Sequence, residues 1–177
     1  MASENVLQIV VRRHVIDTER PFPAVLDGIY GGISRPDIGP LFSNLAASTS
    51  YEQFSALVQQ AQGSAGLIRF LQLDLDSVLT LDPQAPGWSG RRLVRLIVGN
   101  PVTMGQMIRH VPDAGSCAPV TILIQQLPGG GTRIAYDSVA SAIAPYNDAA
   151  VAQVAQRLDA EVLDLLRQAT TAPAATT

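Results

Sequence analysis

Five segments of the chain alternate apolar and polar residues with the period of two that is typical of half-buried β-strands. They lie near residues 6–16, 67–75, 92–98, 119–127 and 132–137. The last two are joined by Pro128-Gly129-Gly130-Gly131, a sequence typical of a β-hairpin turn. The pattern therefore predicts an antiparallel sheet of about five strands.

Other segments carry apolar residues at helical spacing. One helix is expected to begin at Pro21, and another at Asn100-Pro101, because Asn is a strong N-cap and Pro fits the first helical position. The longest amphipathic pattern covers residues 151–166 and predicts a helix packed on the sheet.

A further helix is expected within an insertion at residues 34–66. Its start is indicated by a capping box from Ser50 to Gln53, and it stops at Gly63. Residues 34–48, rich in Pro, Gly and Ser, predict a connection without regular structure. Together these elements predict a single α+β domain over residues 1–169, with helices mainly on one sheet face. The tail at residues 170–177 has too little apolar surface to fold and is expected to be disordered.

Composition narrows the possible partners. The 177 residues are 47% hydrophobic, enough for one substantial core. All 12 basic residues are arginine, and 15 acidic residues leave a net charge of −3, so no nucleic-acid partner is expected. No apolar run approaches the ~20 residues of a membrane helix, and the N-terminus lacks a secretory signal pattern. A cytoplasmic protein with no membrane partner is the expectation.

The predicted strands have one fully apolar face and one mixed face. A single helix layer can cover only one side of the sheet. The mixed face is then wet, paired in a homodimer, or roofed by the helix that begins at Tyr51 to form a ligand cavity. Polar residues expected on it are Arg12, His14, Arg95, Thr121, Gln125 and Arg133.

Residues 96–137 carry the most distinctive pattern. Gly-Asn-Pro is followed by a Met-containing helix ending at Arg109-His110, then by Ala118-Pro119 before an apolar strand, and by Tyr136-Asp137 after the glycine hairpin. This pattern resembles the bacterial domain-of-unknown-function family 302, well over residues 94–166 and loosely over the first 93. The resemblance implies an α+β domain related to TATA-binding-protein-like folds. The chain departs from the family pattern at Cys117, where an aromatic is expected, and at residues 138–141, where Ser-Val-Ala-Ser replaces a Pro-Ser-Ser run.

Two side chains are candidates for acid/base chemistry. His110 can also serve as a cation at the carbonyl end of a helix, and Asp137 as the cap of the turn that follows it. A metal site is not predicted, because His14, His110 and Cys117 are the only imidazole or thiol ligands and are not spaced for chelation. Gly99 to Gly105 is not a P-loop, since no Lys follows. No cofactor is expected.

These residues favour binding of a small, partly apolar organic molecule between the mixed face and the inserted helix. A cofactor-independent isomerase or cyclase in the same cavity is an alternative, with His110 or Asp137 as acid/base. A third alternative is a homodimeric scaffold or partner-binding module. The predicted ligand-binding residues are Tyr51, Arg95, Asn100, His110, Cys117, Thr121, Arg133 and Tyr136.

Overall fold

The computed structural model describes residues 1–171 and shows an α+β fold. The strands are β1 (Arg13–Thr18), β2 (Ile33–Ser34), β3 (Leu67–Asp74), β4 (Leu93–Gly99), β5 (Val120–Gln126) and β6 (Thr132–Asp137). The helices are α1 (Phe22–Gly32), α2 (Ile38–Ala46), α3 (Tyr51–Ala61), α4 (Asp76–Leu81), α5 (Pro101–Ile108), α6 (Val139–Ile143) and α7 (Ala149–Thr170). Most of the predicted tail lies outside the described residues.

The sheet is mixed, which corrects the prediction of five antiparallel strands. Its six strands lie in the order β1-β6-β5-β4-β3-β2, and every neighbouring pair is antiparallel except β2 and β3. The additional strand is the two-residue β2, which is too short to produce an alternating pattern in the sequence. It follows α1 directly and runs parallel to β3 at the edge of the sheet.

The main core lies between the sheet and helices α1 and α7, on the side we call the helix face. Buried side chains of β4 and β5, such as Leu96 and Ile122, alternate with residues of the opposite side and contact this core. Leu158 and Leu166 of α7 complete it. The 22-residue α7 thus lies on the sheet as its amphipathic pattern predicted.

The opposite side of the sheet, which we call the open face, carries Arg95, Thr121 and Arg133, as the alternation predicted. A second, smaller core forms where α2 and α3 contact Ile68 of β3. The prediction of an unstructured connection at residues 34–48 is therefore wrong. The Asp37 carboxylate accepts a hydrogen bond from the Gly39 amide and starts α2, and burial of Leu41 and Leu45 stabilises the helix despite its Gly and Pro.

The first strand corrects a second expectation. It begins at Arg13, not near residue 6, and it places His14 on the helix face, opposite Tyr136 of β6. Val15 instead points to the open face and is 53% exposed. The sequence could not fix this orientation, because residues 6–11 are apolar at both even and odd positions.

Candidate functional site

An apolar concavity lies between the α2–α3 pair and α5. It has a volume of about 730 Å³. The aromatic rings of Phe42, Tyr51, Phe54 and Phe70 contribute to its walls. We call it the apolar pocket; its remaining lining residues are Leu45, Ala46, Ser48, Ser50, Pro101, Val102, Met104, Gly105, Ile108 and Pro119.

Asn100 fixes the position of α5 relative to α3. Its side-chain oxygen accepts hydrogen bonds from the amides of Val102 and Thr103, at 2.9 and 3.2 Å, and so caps the helix. Its amide nitrogen donates to Gln62 Oε1 and to the Gly66 carbonyl, at 2.8 and 2.9 Å. All four bonds hold structure in place, so the Asn100 side chain positions α5 and thereby shapes the pocket.

Phe70 is directed into the pocket by a β-bulge. The register between β3 and β4 shifts between Arg69 and Leu71, which leaves Phe70 as the extra residue. Its ring lies 5.7 Å from that of Phe42, centre to centre. Gly99 makes room for the ring, because a β-carbon at Gly99 would lie 3.1 Å from the edge of Phe70.

Gly105 leaves space on the opposite wall. It lies in the middle of α5, where Gly is less favourable than Ala, yet a β-carbon there would meet nothing within 4 Å. The space beside this residue is part of the apolar pocket. A side chain at position 105 would therefore occupy volume that a ligand could use.

The pocket contains aromatic, aliphatic and thioether surface and almost no polar surface. Within residues 1–171, no Arg, Lys, His, Asp or Glu lines it. Ser50 Oγ accepts a hydrogen bond from the Gln53 amide and caps α3, and the Ser48 hydroxyl donates to the Asn44 carbonyl at 3.3 Å. The Tyr51 hydroxyl is a further polar group among the lining side chains. Such a lining matches uncharged, mainly apolar molecules, because a charge buried there would lack a partner.

The predicted site residues do not meet in one cavity. Arg95, Thr121 and Asp137 lie together in a concavity of about 380 Å³ on the open face, where Arg95 donates a hydrogen bond to Thr121 Oγ1 at 3.3 Å. Of the eight predicted ligand-binding residues, Tyr51 lines the apolar pocket. The sheet contributes to that pocket mainly through Phe70.

Four charged residues of the open face form two ion pairs. Arg13 contacts Asp137 at 2.7 Å, and Arg133 contacts Asp17 at 2.7 Å. The hydrogen bond from Arg13 lowers the pKa of Asp137, and the hydrogen bond from Arg133 lowers the pKa of Asp17. A carboxylate held in its ionised form is poorly suited to shuttle a proton near neutral pH.

Three further predicted residues lie elsewhere. Tyr136 is buried on the helix face, so it cannot share a pocket with Arg95 or Arg133. Cys117 packs against the main core. His110 is exposed just beyond α5 and lines none of the concavities described here.

A buried carboxylate that the sequence did not reveal lies beneath Tyr136. Asp159 of α7, 8% exposed, accepts hydrogen bonds from the Tyr136 and Ser138 hydroxyls, both at 2.6 Å, and from the amides of Val139 and Ala140. Burial raises the pKa of Tyr136, and the hydrogen bond to the Asp159 carboxylate raises it further. The phenol is thus held as a hydrogen-bond donor that ties β6 to α7, a structural role.

Sequence reasoning also missed Phe42, Phe70 and Met104 as pocket residues. Phe42 is 47% exposed on a helix that the Pro- and Gly-rich composition concealed, and Phe70 depends on a bulge. Within residues 1–171, no three His, Cys, Asp or Glu side chains cluster as metal ligands. Over the same residues, no helix is long and apolar enough to cross a membrane.

The structure thus defines an α+β protein with a mixed sheet, a helix layer on one face and an apolar pocket between helices. The family model "Domain of unknown function DUF302" matches residues 44–169, and the chain belongs to that family. It is similar in fold to the crystal structure of an uncharacterized conserved DUF302 protein from Bacillus stearothermophilus, with 16% sequence identity and a TM-score of 0.52. That similarity covers 89% of this chain and 97% of the other. No curated protein matches the sequence.

Proposed function

We propose that the protein binds a small, uncharged and mainly apolar organic molecule in the apolar pocket. The observation that carries this proposal is the aromatic lining of a concavity of about 730 Å³. Its volume falls in the range of about 300–1,000 Å³ that is usual for small-molecule sites. Tyr51 and Phe42, two of its lining residues, remain 67% and 47% exposed. A bound molecule would cover this apolar surface.

The lining supports binding over catalysis. An acid/base enzyme needs a titratable group within reach of its substrate, with a pKa near the working pH. Asp137 lies on the open face in an ion pair that lowers its pKa, and His110 lies outside the apolar pocket. Neither candidate acid/base residue is therefore placed to act on a molecule held there.

The proposal is tested first with Nile red, an uncharged dye that fluoresces more strongly in apolar surroundings. We expect saturable binding to the wild-type protein. Phe42→Ala should weaken it by about tenfold, equivalent to about 1.4 kcal/mol, because the variant removes one ring from the wall. Since that ring is half exposed, the melting temperature should change little.

Leu81→Ala is the matched control. Leu81 is an equally apolar and even more exposed residue at the end of α4, outside the pocket. The control should retain wild-type affinity. Equal loss in both variants would mean that the dye detects general surface hydrophobicity, and undiminished binding in Phe42→Ala would contradict the assignment of the pocket. Native mass spectrometry of freshly purified protein then reports any natural ligand as mass added to the 18.7 kDa chain.

A further inference from the structure

The two edges of the sheet differ in how well they are protected. At one edge, β2 pairs with β3 over two residues only, and such short edge strands offer little to pair with. At the other edge, β1 is six residues long, in continuous register with β6, and contains no proline or bulge. Of the usual features that prevent strand pairing, β1 has charged side chains, but it has no proline and no bulge, and it is not short.

The backbone of β1 shows which groups point outward. The Ser138 amide donates to the Arg12 carbonyl at 2.9 Å, so this carbonyl points towards the β6 side of the strand. Alternation along an antiparallel strand then directs the backbone groups of Arg13, Val15 and Asp17 away from β6. Within residues 1–171, no hydrogen bond reaches the outward amide or carbonyl of these three residues.

We propose that β1 pairs with β1 of a second copy of this chain, antiparallel and with the two-fold axis at Val15. In this register Arg13 lies opposite Asp17 of the partner subunit, and Val15 lies opposite its counterpart. All three residue pairs use outward backbone groups, and each such pair exchanges two hydrogen bonds. The two six-stranded sheets become one continuous sheet with both helix layers on the same side.

Charge favours this register over those with the axis at Arg13 or at Asp17. Asp137 and Arg13 already lie side by side across β6 and β1, as do Arg133 and Asp17. Across the interface each row becomes Asp137, Arg13, the partner subunit's Asp17 and the partner subunit's Arg133, which alternates in sign throughout. An axis at Arg13 or at Asp17 would place like charges opposite each other, which is unfavourable. The middle row is apolar, because it consists of Val15 and Ala135 of each copy.

The first test is the oligomeric state by light scattering across a concentration series that reaches the millimolar range. The wild-type chain should approach twice 18.7 kDa. Val15→Pro should stay monomeric, because proline removes an outward amide hydrogen and no bond to β6. Val15→Ala is the matched control and should still dimerise. A wild-type protein that is monomeric throughout the series, or a folded Val15→Pro variant that dimerises normally, would overturn the proposal.

The register is tested independently by disulfide formation. Val15→Cys, in a Cys117→Ala background, places two thiols on one face at the axis. Opposed Cα atoms in a hydrogen-bonded pair are about 5.5 Å apart, which falls within the range that a disulfide can span. Oxidation should yield a covalent dimer. Val78→Cys, even more exposed but on α4, should not react this way. If Val15→Pro fails to fold, this experiment decides, and cross-linking no greater than that of Val78→Cys refutes the pairing.

Discussion

Replacing Gly105 by Ala should make the protein more stable. In the middle of a helix, Gly is less favourable than Ala by about 0.8–1.0 kcal/mol. The added β-carbon would meet nothing within 4 Å, so no steric cost offsets this gain. For a chain of this size, about 1 kcal/mol corresponds to a rise of about 2–4 °C in melting temperature. Differential scanning calorimetry measures it directly.

The same position tests the pocket. Ala adds only a methyl group, so Nile red affinity should change by less than about twofold. Gly105→Phe places a ring in the space between α5 and the α2–α3 pair, and should reduce the affinity by about tenfold or more while the protein stays folded. Gly105→Ala would then raise the melting temperature with little effect on dye affinity, whereas Gly105→Phe would lower dye affinity.

Two glycines of α1 serve as controls. Gly31 also has open space where a β-carbon would lie, but it is outside the pocket, so Gly31→Ala should not lower the melting temperature and should leave binding unchanged. A β-carbon on Gly28 would lie 3.0 Å from the Ala169 backbone, so Gly28→Ala should destabilise the protein. A lower melting temperature for Gly105→Ala would refute the claim of free space, and wild-type dye affinity in Gly105→Phe would refute the location of the site.

Three other predictions concern stability. Asp159→Ala should lower the free energy of unfolding by roughly 3 kcal/mol or more, because it leaves four donors without an acceptor. Tyr136→Phe removes only one donor and should lower it by about 1 kcal/mol. Urea unfolding measures both changes. Asn100→Ala should destabilise the start of α5 by about 1 kcal/mol or more and weaken Nile red binding, because the cap also holds α5 against the loop after α3. Burial raises the pKa of Glu161 above its ordinary value of 4.5, and the charge of Arg157 partly opposes this rise. The ionised form of Glu161 therefore destabilises the fold at neutral pH, so Glu161→Gln should raise the melting temperature at pH 7. The difference in melting temperature between the two proteins should vanish as the pH falls below 4.5.

The elements that depend on local signals were predictable from the sequence. β5 and β6 alternate cleanly around their glycine hairpin, and α5 begins at Asn100-Pro101 as the capping rule indicates. The amphipathic pattern of α7 likewise matched its position on the sheet. These features depend on residues that are close together in the sequence, so they could be predicted without knowledge of tertiary contacts.

The missed elements depend on contacts between distant parts of the chain. Helix α2 contains Gly39 and Pro40, and its stability comes from burying Leu41 and Leu45 against α3 and β3. The strand β2 consists of two residues paired with a distant partner. The apolar pattern around β1 does not show which of its residues face the helix layer. The register of its pairing with β6 determines this orientation.

The candidate site also combines features that were predictable from the sequence with features that were not. The alternation placed Arg95, Thr121 and Arg133 on the open face, but it could not show that Arg133 is already paired with Asp17. The apolar pocket instead depends on a bulge at Phe70 and on a glycine inside α5, two features that weaken regular structure locally. Local departures from the most stable choice are expected where a protein retains a function at some cost in stability. Because Gly105 leaves open space that a methyl group could enter without a clash, the departure at this position has no packing reason within the described residues, and the proposed bound molecule would supply one.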